Sequence, residues 1–205
     1  MPANTNAIFI ADAPGIDFLN SVATPVDRPV DWIGDGQGLV DWLRQAGLVP
    51  GEQLDSIAAR AMPGELDRVA DQARDLREWF RGFLKSHMGR PLDPATLKEL
   101  APLNRLLERD EAYSRIVLDE GAGLRLEIDR RWRSPESLLI PIGEILARVV
   151  VEQDFAQVKA CEGHGCTLLF SDHTRRHTRR WCSMSVCGNR AKVSAHRSRR
   201  KEAAS

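Results

Sequence analysis

Through most of the first 110 residues, apolar positions recur at three and four residues, the spacing of one face of an α-helix. From Pro63 onward, Leu66, Val69, Ala73, Leu76, Phe80, Phe83 and Leu84 form such a stripe, with Arg, Glu and Asp on the opposite face. This predicts the longest helix of the chain. A shorter helix is predicted over 35–47, where Leu39, Val40, Trp42 and Leu43 are apolar and Gly47 suits the stop. Another is predicted over 51–61. Residues 94–108 repeat the pattern with Leu97, Leu100, Leu103 and Leu107, and Pro102 predicts a kink or break. Residues 14–22 fit a strand or a short helix, and residues 1–13 read as flexible.

The period then changes to two. Leu124, Leu126 and Ile128 alternate with Arg125, Glu127 and Asp129, which predicts a half-buried strand. Residues 113–119 precede it across the glycine-rich stretch 119–123 (DEGAG), so the pair reads as a β-hairpin. A helical stripe returns at Ile142, Ile145, Leu146, Val149 and Val150. Proline favours the first helical position, so this helix is expected to start at Pro141, in preference to Pro135, and to run to about Phe155. Trp32, Trp42 and Trp79 are expected in the core, and His87 at the surface or against a helix C-terminus.

Beyond residue 158 the composition is of another kind. All four cysteines lie there, as Cys161-x4-Cys166 and Cys182-x4-Cys187, with 15 residues between the pairs. Two short loops that each offer two thiolates supply the tetrahedral donor set of one structural zinc ion. Gly163 and Gly165 inside the first loop, and Gly188 after the second, suit tight turns around a metal. Two disulfides would require an oxidising compartment, and the N-terminus has no basic flank and apolar run of a secretory leader. A redox pair would more commonly use a two-residue gap in a βαβ setting. His173 and His177 with the first cysteine pair form an alternative two-Cys, two-His set, but that choice would strand Cys182 and Cys187.

Within this module, residues 167–170 read as a strand, Ser171-Asp172-His173 as a turn, and residues 179–181 as the return strand. Phe170 and Trp181 are expected to cap the metal loops, and His164 to face solvent. From Cys187 a helix is predicted through Arg197. A knuckle, a hairpin and a helix whose first turn carries the last ligand is the treble-clef arrangement. The fold class expected is therefore α+β: a mostly helical N-terminal domain (1–157) with at least one β-hairpin, and a small C-terminal treble-clef zinc finger (158–205).

The formal net charge of zero conceals an asymmetry. From Lys159 onward 11 Lys and Arg face three acids, or +8, which leaves −8 on the body. Zinc with four thiolates lowers the module to about +6. A basic module on an acidic body implies an anionic partner, the alternative being a tail that pairs with its own body. Arg175, Arg176, Arg179 and Arg180 lie on or beside the predicted hairpin; Arg190, Lys192, Arg197, Arg199 and Arg200 lie on the helix and its tail. Arg190, Arg197 and Arg200 share a helical face suited to a major groove, and the others suit phosphates. Arg190 has an equal claim to brace the zinc loop, and Asn189 reads as a cap or turn residue. The cations favour double-stranded DNA. Docking to an acidic protein is the alternative, and RNA the third choice, because an aromatic stacking platform is lacking.

The motif order Cys-x4-Cys, Phe170-x-Asp172, Arg180-Trp181-Cys182-Ser183-Met184 and Cys187-Gly188-Asn189-Arg190-Ala191-Lys192 resembles the CGNR-type zinc finger, over about residues 158–200. The body is similar to the ABATE-type domain that precedes this finger: Asp17-Phe18-Leu19-Asn20-Ser21 matches its Asp-Phe-x-Asn-Thr signature, with serine for threonine. The resemblance implies a bacterial, stress-induced transcription regulator with a DNA-binding finger and a body that senses a small-molecule effector. Asp17 and Asn20 are then candidates for a ligand pocket, the alternative for Asp17 being a buried helix cap. A lone finger buries little surface, so a homodimer is expected. No nucleophile elbow, phosphate loop or catalytic metal motif is present, which argues against an enzyme. No apolar run approaches the length of a membrane span. The expected location is cytoplasmic, at the nucleoid when bound to DNA.

Overall fold

The computed structural model describes residues 6–24, 29–119, 121 and 123–194. Helix α1 (Pro14–Leu19) begins on a proline, whose missing N–H costs nothing in a first helical turn. A two-residue ribbon follows, β1 (Val22–Ala23) with β2 (Val30–Asp31), which is too short to show in the sequence pattern. Helices α2 (Gly36–Gln45) and α3 (Gly51–Arg60) come next, the former capped by Asp35, whose carboxylate accepts from the Gly38 N–H. Helix α4 (Glu65–His87) has Glu65 and Asp67 in its first turn and Lys85 and His87 in its last, as the helix dipole favours.

Residues 94–108 divide where Pro102 demands it, into a 3-10 segment (Pro94–Leu100) and helix α5 (Ala101–Leu107). The tighter winding removes Leu97 from the expected stripe and leaves it exposed. Strands β3 (Ala112–Leu118) and β4 (Leu124–Arg130) form the expected antiparallel hairpin. The next helix starts earlier than expected: a 3-10 turn opens at Pro135, and α6 (Leu139–Glu152) follows directly, ending short of Phe155. Pro141 falls inside the first turn of α6, where its missing N–H is still harmless.

Helices α1, α2, α4 and α6 enclose the core, in which Phe18, Trp42, Phe80, Leu84, Ile142 and Leu146 are buried. Gly15 lets α1 cross α6 closely, since a Cβ there would stand 2.5 Å from the Ile145 carbonyl oxygen. A charged residue of α4 joins this interior. Arg77, expected on the polar face of α4, is buried and grips Asp31 with both nitrogens at 2.8 and 2.7 Å, with a further bond to Ser21 Oγ at 2.9 Å. Burial alone would raise the Asp31 pKa, but the Arg77 guanidinium outweighs it and holds the carboxyl below its usual range.

Two further expectations are corrected. Residues 6–13 are not a loose lead-in: Ala11 is fully buried, and the Ile10 and Ala11 N–H groups both bond Asp17. The β4 strand is not half-buried, because Leu124, Leu126 and Ile128 all stand in solvent. The hairpin packs mainly on itself and is held to the body at its base, where Arg130 pairs with Asp110 and Glu144 at 2.6 Å each.

Candidate metal centre and basic surface

Strand β5 (Val158–Ala160) leads into the first cysteine loop and β6 (Leu169–Ser171) leads out of it, paired antiparallel. The knuckle is thus the loop of its own hairpin. The expected partner of 167–170, the segment 179–181, is not a strand; it runs alongside the knuckle and touches it through Glu162 N–H to the Arg180 carbonyl, 2.9 Å. The reason is that β6 finds its partner before the cysteine loop, where the chain already runs antiparallel to it. Cys182 precedes a wide π-type turn (Met184–Gly188) that carries Cys187 and passes into an α-helix over 189–194, so Cys187 lies at the start of the terminal helix, as expected.

The four sulfurs converge within 4.8 Å of one another, with no disulfide among them. Cys166 and Cys182 are 3.9 Å apart and Cys182 and Cys187 3.6 Å apart. A zinc–sulfur bond of about 2.3 Å in a tetrahedron puts sulfurs about 3.8 Å from each other, so these spacings fit the ion. The Gly163 and Cys182 N–H groups point at Cys161 Sγ, at 3.4 and 3.2 Å, and would stabilise a thiolate there. Gly163 has no room for a side chain, since a Cβ would lie 2.9 Å from Cys187 Sγ. Without a cation the cluster resists full ionisation. Burial pushes the Cys187 thiol up to about 11, and the shared hydrogen bond with Cys166 raises Cys182 while it lowers Cys166 to about 5. A divalent cation reverses this preference and deprotonates all four. His173 and His177 stand apart from this set, and His177 Nδ1 bonds the Asp172 carbonyl at 2.9 Å.

The metal loops are bolted to the body. The Asn20 side chain takes both polar groups of Leu169, donating to its carbonyl at 2.8 Å and accepting from its N–H at 2.9 Å. Ser171 N–H reaches the Ala11 carbonyl at 2.9 Å. Phe170 is fully buried in a core that runs unbroken from the helices into the module, and Trp181 covers its rim half-buried. Asp172 organises the following turn: its carboxylate accepts from Lys159 Nζ at 2.7 Å, Thr174 Oγ1 at 2.6 Å, and the N–H groups of Thr174 and Arg179. Burial would raise its pKa, but these donors, Lys159 foremost, hold the carboxyl far below its usual range.

This geometry sorts the residues proposed from sequence. Asp17 and Asn20 bond backbone groups in the seam between body and module: one orders residues 10–11 and the other clamps β6. Asp17 is buried, which pushes its pKa up to about 6 despite the two N–H donors. Arg179 is also internal. Its guanidinium lies 4.3 Å from the Phe170 ring centre, bonds the carbonyls of Ile10, Trp181 and Cys182, and pairs with Asp12, so it braces the fold. Arg180 is exposed, stacks 5.1 Å from the centre of Trp181 and pairs with Glu162 at 2.6 Å. Arg175, Arg176, Arg190 and Lys192 are exposed. Arg197, Arg199 and Arg200 lie outside the described residues. A groove of about 630 Å³ runs between the 174–181 segment and the π-type turn, lined by Arg175, Arg176, Arg179, Arg180 and Trp181 among others. Nothing local in the sequence marks Asp172 or Arg179 as internal, since their partners are set by the fold.

Fold and site together define a two-part zinc-finger protein, a helical body joined to a four-cysteine module. The chain belongs to the ABATE family, described as "Putative stress-induced transcription regulator", whose model matches residues 12–153. The CGNR zinc finger model matches residues 157–200. No curated protein matches the sequence. Among the described residues no helix is long and apolar enough to cross a membrane.

Proposed function

We propose that this protein is a DNA-binding transcription regulator whose zinc module contacts the duplex and whose body responds to a small-molecule effector. The observation that carries this reading is the set of exposed cations, Arg175, Arg176, Arg180, Arg190 and Lys192, arrayed on a module held rigid by four sulfurs. Arginine forks match phosphate oxygens and guanine edges, and the groove beside Trp181 gives the 175–180 cations a common direction. The terminal helix projects Arg190 and Lys192 from different sides, one toward bases and one toward the backbone. In the body, a cavity of about 300 Å³ between α1 and α6, bordered by Glu144, Arg148 and Gln153, has the size for an effector. No catalytic role is assigned to any residue, and the proposed location is the cytoplasm, on the nucleoid.

The test is fluorescence anisotropy of the zinc-loaded chain with mixed duplex DNA over a salt series, beside a chelated control. Five neutralised phosphates give a log–log salt slope of about −4 to −5, and Arg175→Ala with Arg176→Ala should flatten it by about 2. Binding that ignores both chelation and these substitutions would refute the reading. A second reading, docking to an acidic protein, draws on Met184, Val186 and Val193, which stand exposed beside the cations.

A further inference from the structure

The β3–β4 hairpin has two unlike faces. The ladder pairs Ser114 with Ile128, Ile116 with Leu126 and Leu118 with Leu124, and directly opposed residues share a face. Five of these six side chains are aliphatic and none is charged. Ile116, Leu118, Leu124, Leu126 and Ile128 are between 71% and 77% exposed. The reverse face is satisfied internally: Arg115 pairs with Glu127 at 3.0 Å and Asp129 at 3.2 Å, Arg125 pairs with Glu127, and Tyr113 bonds Asp129 at 3.2 Å. Polar networks occupy the side that stays wet, and among the described residues nothing covers the apolar side.

We propose that this apolar face is the interface through which two copies of the chain associate, hairpin stacked on hairpin about a twofold axis. Three observations select a second copy over another occupant. The exposed part of the face carries no charge, because Arg130, which shares it at the base opposite Ala112, is already paired with Asp110 and Glu144; nucleic acid or an acidic or basic partner would bury its own charges against aliphatic carbon. A twofold axis returns the same patch to itself, so this one face supplies both halves of the interface without a second surface. The area also suffices: five aliphatics exposed to this degree present on the order of 500 Å² per copy, so a pair buries about 1,000 Å², the lower bound of a specific interface. Two sheets stacked about 10 Å apart make a two-layer sandwich from ribbons that are each marginal alone. The interface is independent of the nucleic-acid reading, although a twofold dimer would present two basic modules.

The experiment is sedimentation equilibrium of the full zinc-loaded chain without DNA, from low to high micromolar concentration. The wild type should populate a dimer in this range. Leu126→Glu places a carboxylate at the centre of the stack and should weaken dimerisation by at least about 100-fold, with zinc content and far-ultraviolet circular dichroism unchanged. Ser114→Leu extends the apolar face and should tighten the dimer several-fold. Arg125→Gln on the reverse face should leave the constant unmoved. A wild type that stays monomeric throughout overturns the proposal, as does a dimer that survives Leu126→Glu. Neither result depends on DNA binding, so failure here is distinguishable from failure of the regulator reading.

Discussion

Two short ribbons in this protein are made stable in opposite ways. The β5–β6 pair has a ladder of only three residue pairs, yet every side chain of β6 is buried. The β3–β4 pair has a ladder of seven, yet five aliphatic side chains of one face stand in water. Ladder length therefore does not decide whether a two-stranded ribbon is secure; the cover on its face does. The first ribbon is closed by four sulfurs on one side and by α1 on the other. The second is fixed at its base by Arg130 and otherwise awaits a cover, which the proposed partner copy supplies.

The largest test of this contrast removes the metal. Cys182→Ser should abolish stoichiometric zinc binding and the order of residues 159–194, because a structural four-thiolate site contributes on the order of 10 kcal/mol. The body should lose thermal stability as well, since Phe170 and Leu169 pack within its core. The hairpin should be unaffected. Metal analysis and calorimetry read both effects, and a full equivalent of zinc in the variant would contradict the four-cysteine site.

Next in size is the clamp. Asn20→Ala strands the buried N–H and carbonyl of Leu169 and should cost about 2–4 kcal/mol in urea denaturation, with zinc stoichiometry intact. A cost near zero would show that the seam does not depend on this side chain.

Two buried aspartates give the contrast a pH signature. The folded-state pKa of Asp17 is raised from 3.8 to about 6 by burial, so the native state favours its neutral form. Its contribution is greatest below pH 4 and declines as pH rises through 6, by up to about 3 kcal/mol at 1.36 kcal/mol per unit. Asp172 has the opposite sign: its folded pKa is depressed, so its contribution is present above pH 4 and is lost as pH falls. Asp17→Asn should therefore remove a loss of stability between pH 4 and 6 that the wild type shows, measured by urea denaturation across that range. An unchanged pH profile would mean that Asp17 is not desolvated in the folded protein.

The smallest effect is on the open ribbon. Ile128→Ala should change the unfolding free energy of the dilute protein by no more than about 0.5 kcal/mol, because the side chain is already in water. A cost of several kcal/mol at a concentration too low for association would place that face inside the monomer.

The amino-acid sequence by itself determined whatever depends on near neighbours. The 3.6-residue stripe placed α4, the apolar cluster and Gly47 placed α2, Pro102 divided the 94–107 segment, and the alternation over 124–129 with the glycine-rich turn at 119–123 set the β3–β4 hairpin. The matched cysteine spacings were enough for the metal site, because thiolate chemistry leaves few other uses for such a cluster. The tertiary structure decided what those elements meet. Asn20 and Leu169 are 149 residues apart and Arg179 reaches a carbonyl 169 residues away, so no local pattern could assign either side chain a bracing role. The same limit misled the reading of β4: alternation records which residues share a face, but whether that face is covered depends on a surface elsewhere. Arg77 shows the converse, a charge assigned to the polar face of α4 that becomes internal, where Asp31 and Ser21 meet it. Periodicity is a property of one segment, and burial is a property of two.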